Sequence, residues 1–458
     1  MTVSALLMDF YELTMCAVYF AYKPQAWATF DLFVRKLPED RSFLVACGIK
    51  EALLYLKNFS FAREDIKYLK KFNFRPAFLN YLAGLKFTGD VWAVKEGTIV
   101  FEQEPIMRIT APLCQAQLVE SVLLNTINLQ TAIASKAARI ILAAEGRAVY
   151  DFSLRRAQGQ DAALKAAKAS YIAGAAGSSN VLAGKMFGIP TIGTMAHSYV
   201  MSFDTEMESF QAYADIFPKQ SILLLDTYSY KKGIKNAITI ARRLKRKRFN
   251  LSGVRLDSGD LARESKRIRK VLDENGFGKV KIVASGDLDE YKIKRLIKIG
   301  APLDSFGVGT KMGVSVDAPY CDVIYKISEI TDKQGGFVPT MKLSQHKNTL
   351  PGRKQVFRIR DKKGTYKKDI IALETEKIKG IPLLLKMLEK GRIVYDDFSL
   401  KTARKFVSRQ LKSMPHRIKD LGKGVSFPVE QSVKLKSLAH KIGRGILGPD
   451  CCAGGKHS

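Results

Sequence analysis

Between residues 147 and 197 the chain gathers, in two places, side chains able to do chemistry. One short apolar run, Ala148 to Phe152, ends among Asp151, Ser153, Arg155 and Arg156, and a second ends in Gly193-Thr194-Met195-Ala196-His197. Further short runs close on Asp226, on Arg255 with Asp257 and Asp260, on Ser285 with Asp287, and on Gly307-Val308-Gly309-Thr310. Arginines at such positions hold carboxylate or phosphate through paired hydrogen bonds. Carboxylates such as Asp226, Asp257 and Asp287 bind ribose hydroxyls, or Mg2+ through water. A glycine-bearing loop after a strand offers backbone N–H groups, here with the Thr310 hydroxyl, to a phosphate monoester. His197 is the one imidazole of this region and suits acid–base or phosphoryl-acceptor work. Any single cluster has a plainer meaning, because Ser, Thr and Asp cap helices; Ser258 and Ser285 fit that use. Six clusters in series, with arginines and an imidazole among them, point to the active face of an enzyme.

The elements that must position these residues alternate strictly from Gly146 onward. Strands are expected over 148–152, 190–193, 221–226, 253–257, 280–285 and 304–308, with 321–327 as a candidate seventh. Helical stretches of about 10–17 residues separate most of them, the spacing of parallel βαβ units. Polar chemistry at the end of each strand is the pattern of an α/β barrel mouth, where phosphate sites fall on the loops after late strands. Residues 1–115 read as a mixed α+β domain, with a helix over 2–22, a strand over 29–38, a helix over 42–58 and short strands over 87–112. Residues 116–330 form the barrel domain. Residues 331–458 are a basic α+β segment, with strand pieces at 349–359 and 388–398, a helix over 400–413, and a loose tail from 441 rich in turn formers.

Bulk composition sets the outer limits. At 458 residues, 46% hydrophobic and 26% charged, the chain has the make-up of a soluble globular protein. No apolar run approaches the ~18 residues of a membrane span. Asp9 and Glu12 interrupt any signal peptide, so a cytoplasmic enzyme is expected. The six cysteines, Cys451-Cys452 vicinal among them, lack metal-ligand spacing and read as reduced thiols. His346, His416, His440 and His457 read as surface residues. The net charge of +31 is unusual. It suits a polyanionic substrate or a nucleic-acid partner. The one dense run, Arg242 to Arg248, ends a helical segment, where cations complement the helix dipole. An RNA-binding protein on a barrel scaffold is the alternative of another class, but this run has no aromatic interleaving apart from Phe249.

These parts, in this order, resemble the nicotinate phosphoribosyltransferase family. The resemblance lies in MDFYELTM (8–15), FVRKLP (33–38), DFSLRRAQG (151–159), GSSNVLAGKMFGIP (177–190), GTMAHSYVMSF (193–203), VRLDSGDL (254–261), SGDLDE (285–290), DSFGVGTKM (304–312) and LPGRKQVFR (350–358). It implies an irregular α/β barrel with an N-terminal α+β domain against which C-terminal chain packs. It also implies a reaction joining nicotinate to 5-phosphoribosyl-1-pyrophosphate, with ATP and Mg2+ and a transient phosphohistidine at His197. By the same resemblance Tyr11 stacks on the pyridine ring in the neighbouring subunit of a homodimer. Thr194 and Arg255 bind nicotinate, and Thr310, Gly307 and Gly309 the sugar phosphate. Asp151, Arg155 and Arg156 are expected to face the substrates, and Asp226, Asp257, Ser285 and Asp287 the ribose and phosphates. Ser153 stands where the family commonly has Gly, which places a side chain beside the expected ring pocket. Nicotinamide enzymes also carry an acid at the position of Asp151, so that residue does not exclude an amide substrate; the LRRAQG continuation favours the acid. Quinolinate enzymes share the fold, and the GTMAH and Tyr11 motifs argue against them.

Overall fold

Six short parallel strands carry the chemistry-bearing residues. They are β1 Ala148–Asp151, β2 Gly177–Ser178, β3 Ile222–Leu224, β4 Gly253–Leu256, β5 Lys281–Ala284 and β6 Ser305–Val308. The computed structural model describes residues 3–344, 348–422 and 424–447. His346, His457, Cys451-Cys452 and the end of the tail lie outside these. Hydrogen-bonded neighbours run β2-β1-β6-β5-β4-β3, each pair parallel. This is chain order wrapped into a ring, with the last strand beside the first. A bridge from Ser178 to Thr191 extends one end, and the ring is open between Thr191 and β3. One face of the later strands is closed off, as parallel strands under covering helices require: Val254, Leu256, Ile282, Ala284, Phe306 and Val308 are all fully buried.

The crossover helices show why the sequence folds this way. In Tyr230–Arg246 the residues Ile234, Ala237, Ile238, Ala241 and Leu244 are buried, three or four positions apart, and the lysines and arginines between them face outward. Leu261–Glu274 repeats the pattern. Asp260 caps it by accepting from the Ala262 and Arg263 N–H groups, both at 3.1 Å.

Contacts group the chain into two units, Ile133–Pro319 and a discontinuous one of Met1–Ala132 with Tyr320–Ser458. The sequence suggested three consecutive segments; a shared sheet is the reason for the difference. Its seven strands run Phe337–Pro339, Val323–Thr331, Trp27–Val34, Pro105–Pro112, Asp90–Ala93, Leu385–Glu389 and Arg392–Ile393, so chain from both ends is needed to complete it. This corrects the expectation for 321–327. That stretch is no seventh barrel strand but pairs antiparallel with Trp27–Val34, and Tyr325 stacks on Phe30 at 4.6 Å. Cys16, Cys47, Cys114 and Cys321 are buried thiols, none of them in a disulfide. No described helix is long and apolar enough to cross a membrane.

Candidate active site

The C-terminal ends of β1, β4, β5 and β6, with the segment Gly193–Ser198, enclose two adjoining cavities of about 330 and 530 Å3. Both are lined by Phe152, Arg155, Arg255 and Asp257, which form their common wall. The smaller adds Arg156, Ser285, Asp287, Gly307, Gly309 and Thr310; the larger adds Thr194 and His197. Most of the residues singled out from the sequence are therefore brought together.

Arg255 is the best-fixed side chain in the wall. Its Nε donates to Ser285 Oγ at 3.0 Å, Nη1 to Thr194 Oγ1 at 2.7 Å and to the Met195 carbonyl at 3.0 Å, and Nη2 to Asp257 Oδ1 at 3.2 Å. Asp257 in turn accepts from the Ser285 hydroxyl and lies 3.8 Å from His197 Nε2. Burial pushes the Asp257 carboxyl up, but the Ser285 hydrogen bond and the Arg255 guanidinium outweigh it and hold the group below the usual carboxylate range. His197 Nδ1 is 3.1 Å from Thr227 Oγ1. That contact fixes the ring and leaves Nε2 toward the wall. Arg155 and Arg156 project from the turn Leu154–Arg156, exposed and without an ion pair among the described residues.

Backbone geometry brings the phosphate-side loops close. Gly286 has φ +89°, and a Cβ there would lie 1.7 Å from the Asp257 carbonyl oxygen. At Gly307 a Cβ would meet the Phe152 ring at 2.3 Å. Only glycine allows either approach.

Two expected site residues, Asp151 and Asp226, line neither cavity. Asp151 is buried. It accepts from the Ser153 N–H at 3.0 Å, the Ser153 hydroxyl at 2.6 Å and the Ser178 hydroxyl at 2.7 Å. Burial raises its pKa against the pull of those bonds. Ser153 is also fully buried and turned to Asp151, so its side chain does not sit beside a ring pocket. Asp226 has its Oδ2 accepting from Ser258 Oγ at 2.6 Å and its Oδ1 buried and unpartnered. Tyr11 belongs to the discontinuous unit, half exposed on the helix Phe10–Tyr22. Ser258 and Ser285, for which the sequence left a helix-cap role open, donate to the carboxylates of Asp226 and Asp257, and Ser285, expected at the ribose and phosphates, lines the smaller cavity. The sequence also passed over Phe152, Gly286, Lys311 and Asp289. Lys311 stood inside the quoted GVGTKM loop, where a lysine beside a phosphate-type turn was the available signal.

Comparison with known proteins places this geometry. Residues 6–128 match the nicotinate phosphoribosyltransferase N-terminal domain, and residues 148–336 the nicotinate phosphoribosyltransferase family. A nicotinate phosphoribosyltransferase of Mycobacterium tuberculosis is 44% identical over 436 residues, 94% of this chain and 92% of its own. One of Bacillus subtilis is 38% identical, covering 93% and 92%. The crystal structure of human nicotinic acid phosphoribosyltransferase superposes with a TM-score of 0.84 at 28% identity, over 95% of this chain and 99% of that one.

Proposed function

Because the chain belongs to the nicotinate phosphoribosyltransferase family, we propose that it joins nicotinate to 5-phosphoribosyl-1-pyrophosphate, giving nicotinate mononucleotide and pyrophosphate in NAD salvage. The observation that carries this reading is the shared wall, where one arginine is held by four hydrogen bonds between a cavity with an imidazole and a cavity with phosphate-type loops.

The nicotinate carboxylate takes the outer face of Arg255 and the Thr194 hydroxyl, which orients the ring nitrogen toward ribose C1. The ring nitrogen's lone pair forms the N–C1 bond as the C1–O bond to pyrophosphate breaks, so no proton need move. Positive charge develops at the sugar and negative charge on the leaving group; positioning and neutralisation supply most of the catalysis. Arg155 and Arg156 face the departing pyrophosphate. Asp257, kept ionised, stands beside the sugar. ATP transfers a phosphoryl group to His197 and leaves as ADP, and water later takes that group off as orthophosphate and restores the imidazole. The phosphohistidine places dianionic charge near the pyrophosphate, which couples ATP to the affinity for that substrate. Mg2+ would be carried by the phosphates and would neutralise their charge. No three His, Cys, Asp or Glu side chains converge on a metal site among the described residues, so the phosphates themselves would supply most of the ion's ligands. The enzyme works in the cytoplasm as a homodimer in which Tyr11 crosses to the partner's site. The exposed Leu7, Phe10 and Tyr11 around that helix start support such a contact.

The test is mononucleotide formation from nicotinate against nicotinamide, with and without ATP. Nicotinate with ATP is the expected best pair; preference for nicotinamide would replace the acid by the amide. The His197→Ala variant is expected to lose ATP stimulation and keep slow ATP-independent synthesis. Full ATP stimulation in that variant would remove the phosphohistidine route.

A further inference from the structure

The cleft draws on the ends of the parallel strands and leaves the outer surface of their crossover helices unused. Tyr230–Arg246, Leu261–Glu274 and Glu290–Lys298 follow β3, β4 and β5, which are neighbours in the sheet, and the three helices lie side by side. Arg242 donates to Asn275 Oδ1 at 2.7 Å, just past the end of the second helix. Lys266 Nζ donates to the Ile299 carbonyl at 2.7 Å, just past the end of the third. The first helix carries seven lysines and arginines and no acidic residue, and all seven are exposed. Among them Lys231, Lys235, Arg242 and Arg246 stand four, seven and four positions apart, one straight stripe at 3.6 residues per turn. The second and third helices continue the surface with exposed Lys266, Arg267, Lys270, Lys292, Arg295 and Lys298. Of their acids, Glu264 and Glu290 are buried, and Asp273 and Glu274 are paired with Arg269 at 3.0 Å and Lys270 at 3.8 Å.

We propose that this face is a docking surface for duplex nucleic acid, held through its phosphodiester backbone without reading sequence. The character of the surface selects that partner. An anionic membrane takes up a helix through an apolar face that inserts, and neither of the first two helices exposes a large apolar residue. A single strand is gripped by stacking its bases on open aromatic faces. Tyr291, the exposed aromatic of the third helix, already has the Arg139 guanidinium 5.7 Å from its ring centroid and bonded to its hydroxyl at 3.0 Å. A duplex needs neither feature, because phosphate forms its outer surface. At 1.5 Å per residue the first helix is about 25 Å long, and a duplex carries about 15 charges over that length. The opposite side of that helix is core, with Ile234, Ala237, Ile238, Ala241 and Leu244 buried, so the stripe is presented on a fixed support. The surface adds a binding function that does not depend on the chemistry of the cleft.

The probe is a duplex of about 24 base pairs, made as DNA and as RNA of the same mixed sequence. Its binding to the full chain is followed by fluorescence anisotropy from about 0.05 to about 0.3 M salt. About six phosphate contacts give a slope of log affinity against log salt near −5. A stripe variant combining Lys235→Glu, Arg242→Glu and Arg246→Glu should lower that slope by about three and weaken binding about a hundredfold or more at the low-salt end. Arg242→Glu alone, a milder change to the fold, lowers the slope by about one. The control combines Lys434→Glu, Lys436→Glu and Lys441→Glu on the helix Val433–Leu447, exposed lysines elsewhere in the chain. It keeps the wild-type slope and holds affinity within about threefold. Both triple variants remove the same net charge, so any loss of charge-driven substrate capture is common to them, and duplex binding tells them apart. The tighter of the DNA and RNA duplexes names the source of the phosphate. An equal loss in the two triple variants reduces the effect to net charge and overturns the proposal. So does a wild-type slope in the stripe variant, or tighter binding of the single strand than of the duplex. Tighter binding to vesicles of about 30% phosphatidylserine in phosphatidylcholine, at equal salt, replaces the duplex by a membrane surface.

Discussion

Every nitrogen of the Arg255 guanidinium is hydrogen-bonded before any substrate arrives. A fork fixed in this way loses little entropy on meeting a carboxylate, and a lysine cannot reproduce it. Arg255→Lys should raise the KM for nicotinate by about tenfold, the loss of one charge-assisted hydrogen bond from the remaining Nη2–H and of the fixed guanidinium that aims it. Steady-state kinetics with nicotinate varied would check this, and an unchanged KM would exclude Arg255 as the carboxylate partner. Ser153 gives the opposite case. Replacing it with Gly removes one buried hydrogen bond to Asp151 while the backbone bond remains. Stability should fall by about 1 kcal/mol, with the choice between nicotinate and nicotinamide unaltered; altered preference would contradict a side chain turned away from the ring. Arg255, Asp257 and His197 were legible because charged residues ending apolar runs stand out. The burial of Asp151 was legible too, and overlooked: it lies two positions after buried Val149, hence on the same face of the strand. Lys311 carried a signal in its place beside the glycine turn, but its pairing with Asp289 did not, since that depends on a helix cap from another strand end.

At the scale of elements, the helix Phe10–Tyr22 carries a stored proton. Glu12 is fully buried. Its Oε1 accepts from the Ser121 N–H at 3.2 Å, and Oε2 is unpartnered. Burial pushes its carboxyl up from 4.5 to about 7. Between those values the folded chain binds more protons at this site than the unfolded one, so its stabilising contribution is full below the unfolded pKa and is lost as pH rises toward about 7. The loss is on the order of 3 kcal/mol by pH 8, from 1.36 kcal/mol per unit. Glu12→Gln should flatten that part of the stability profile, measured by urea unfolding from pH 4.5 to pH 8 at about 25 °C. Parallel profiles for the two proteins would show that Glu12 is not the titrating group. The long elements of both units were readable from period and turn residues. The short strand β2, Gly-Ser, was hidden in a stretch of turn formers, because two residues cannot show a period. Residues 321–327 were misplaced because an alternating run names a strand but not its partner.

For the molecule as a whole, the feature left unexplained by composition was the charge of +31. The dense run at Arg242–Arg248 is a solvated helix end as expected, with Arg242 donating to Asn275 at 2.7 Å and Lys247 paired with Asp215 at 2.8 Å. The cations of the crossover helices face outward in the same way, so the excess charge acts on the site as a field rather than through contacts. Such a field draws in a substrate in proportion to its charge, and salt removes it. Raising ionic strength from about 0.05 to about 0.5 M shortens the screening length from about 14 to about 4 Å. The kcat/KM for 5-phosphoribosyl-1-pyrophosphate should then fall on the order of tenfold, whereas that for nicotinate, with a single charge, falls much less. The comparison separates a long-range effect from local pairing. Arg155 and Arg255 line the cleft itself, where pairing at contact range is screened weakly, so their variants should shift the whole curve without changing its slope. A kcat/KM for the pyrophosphate substrate that is flat in salt would mean that the charge excess does nothing for capture, and that the contacts inside the cleft account for all of the affinity.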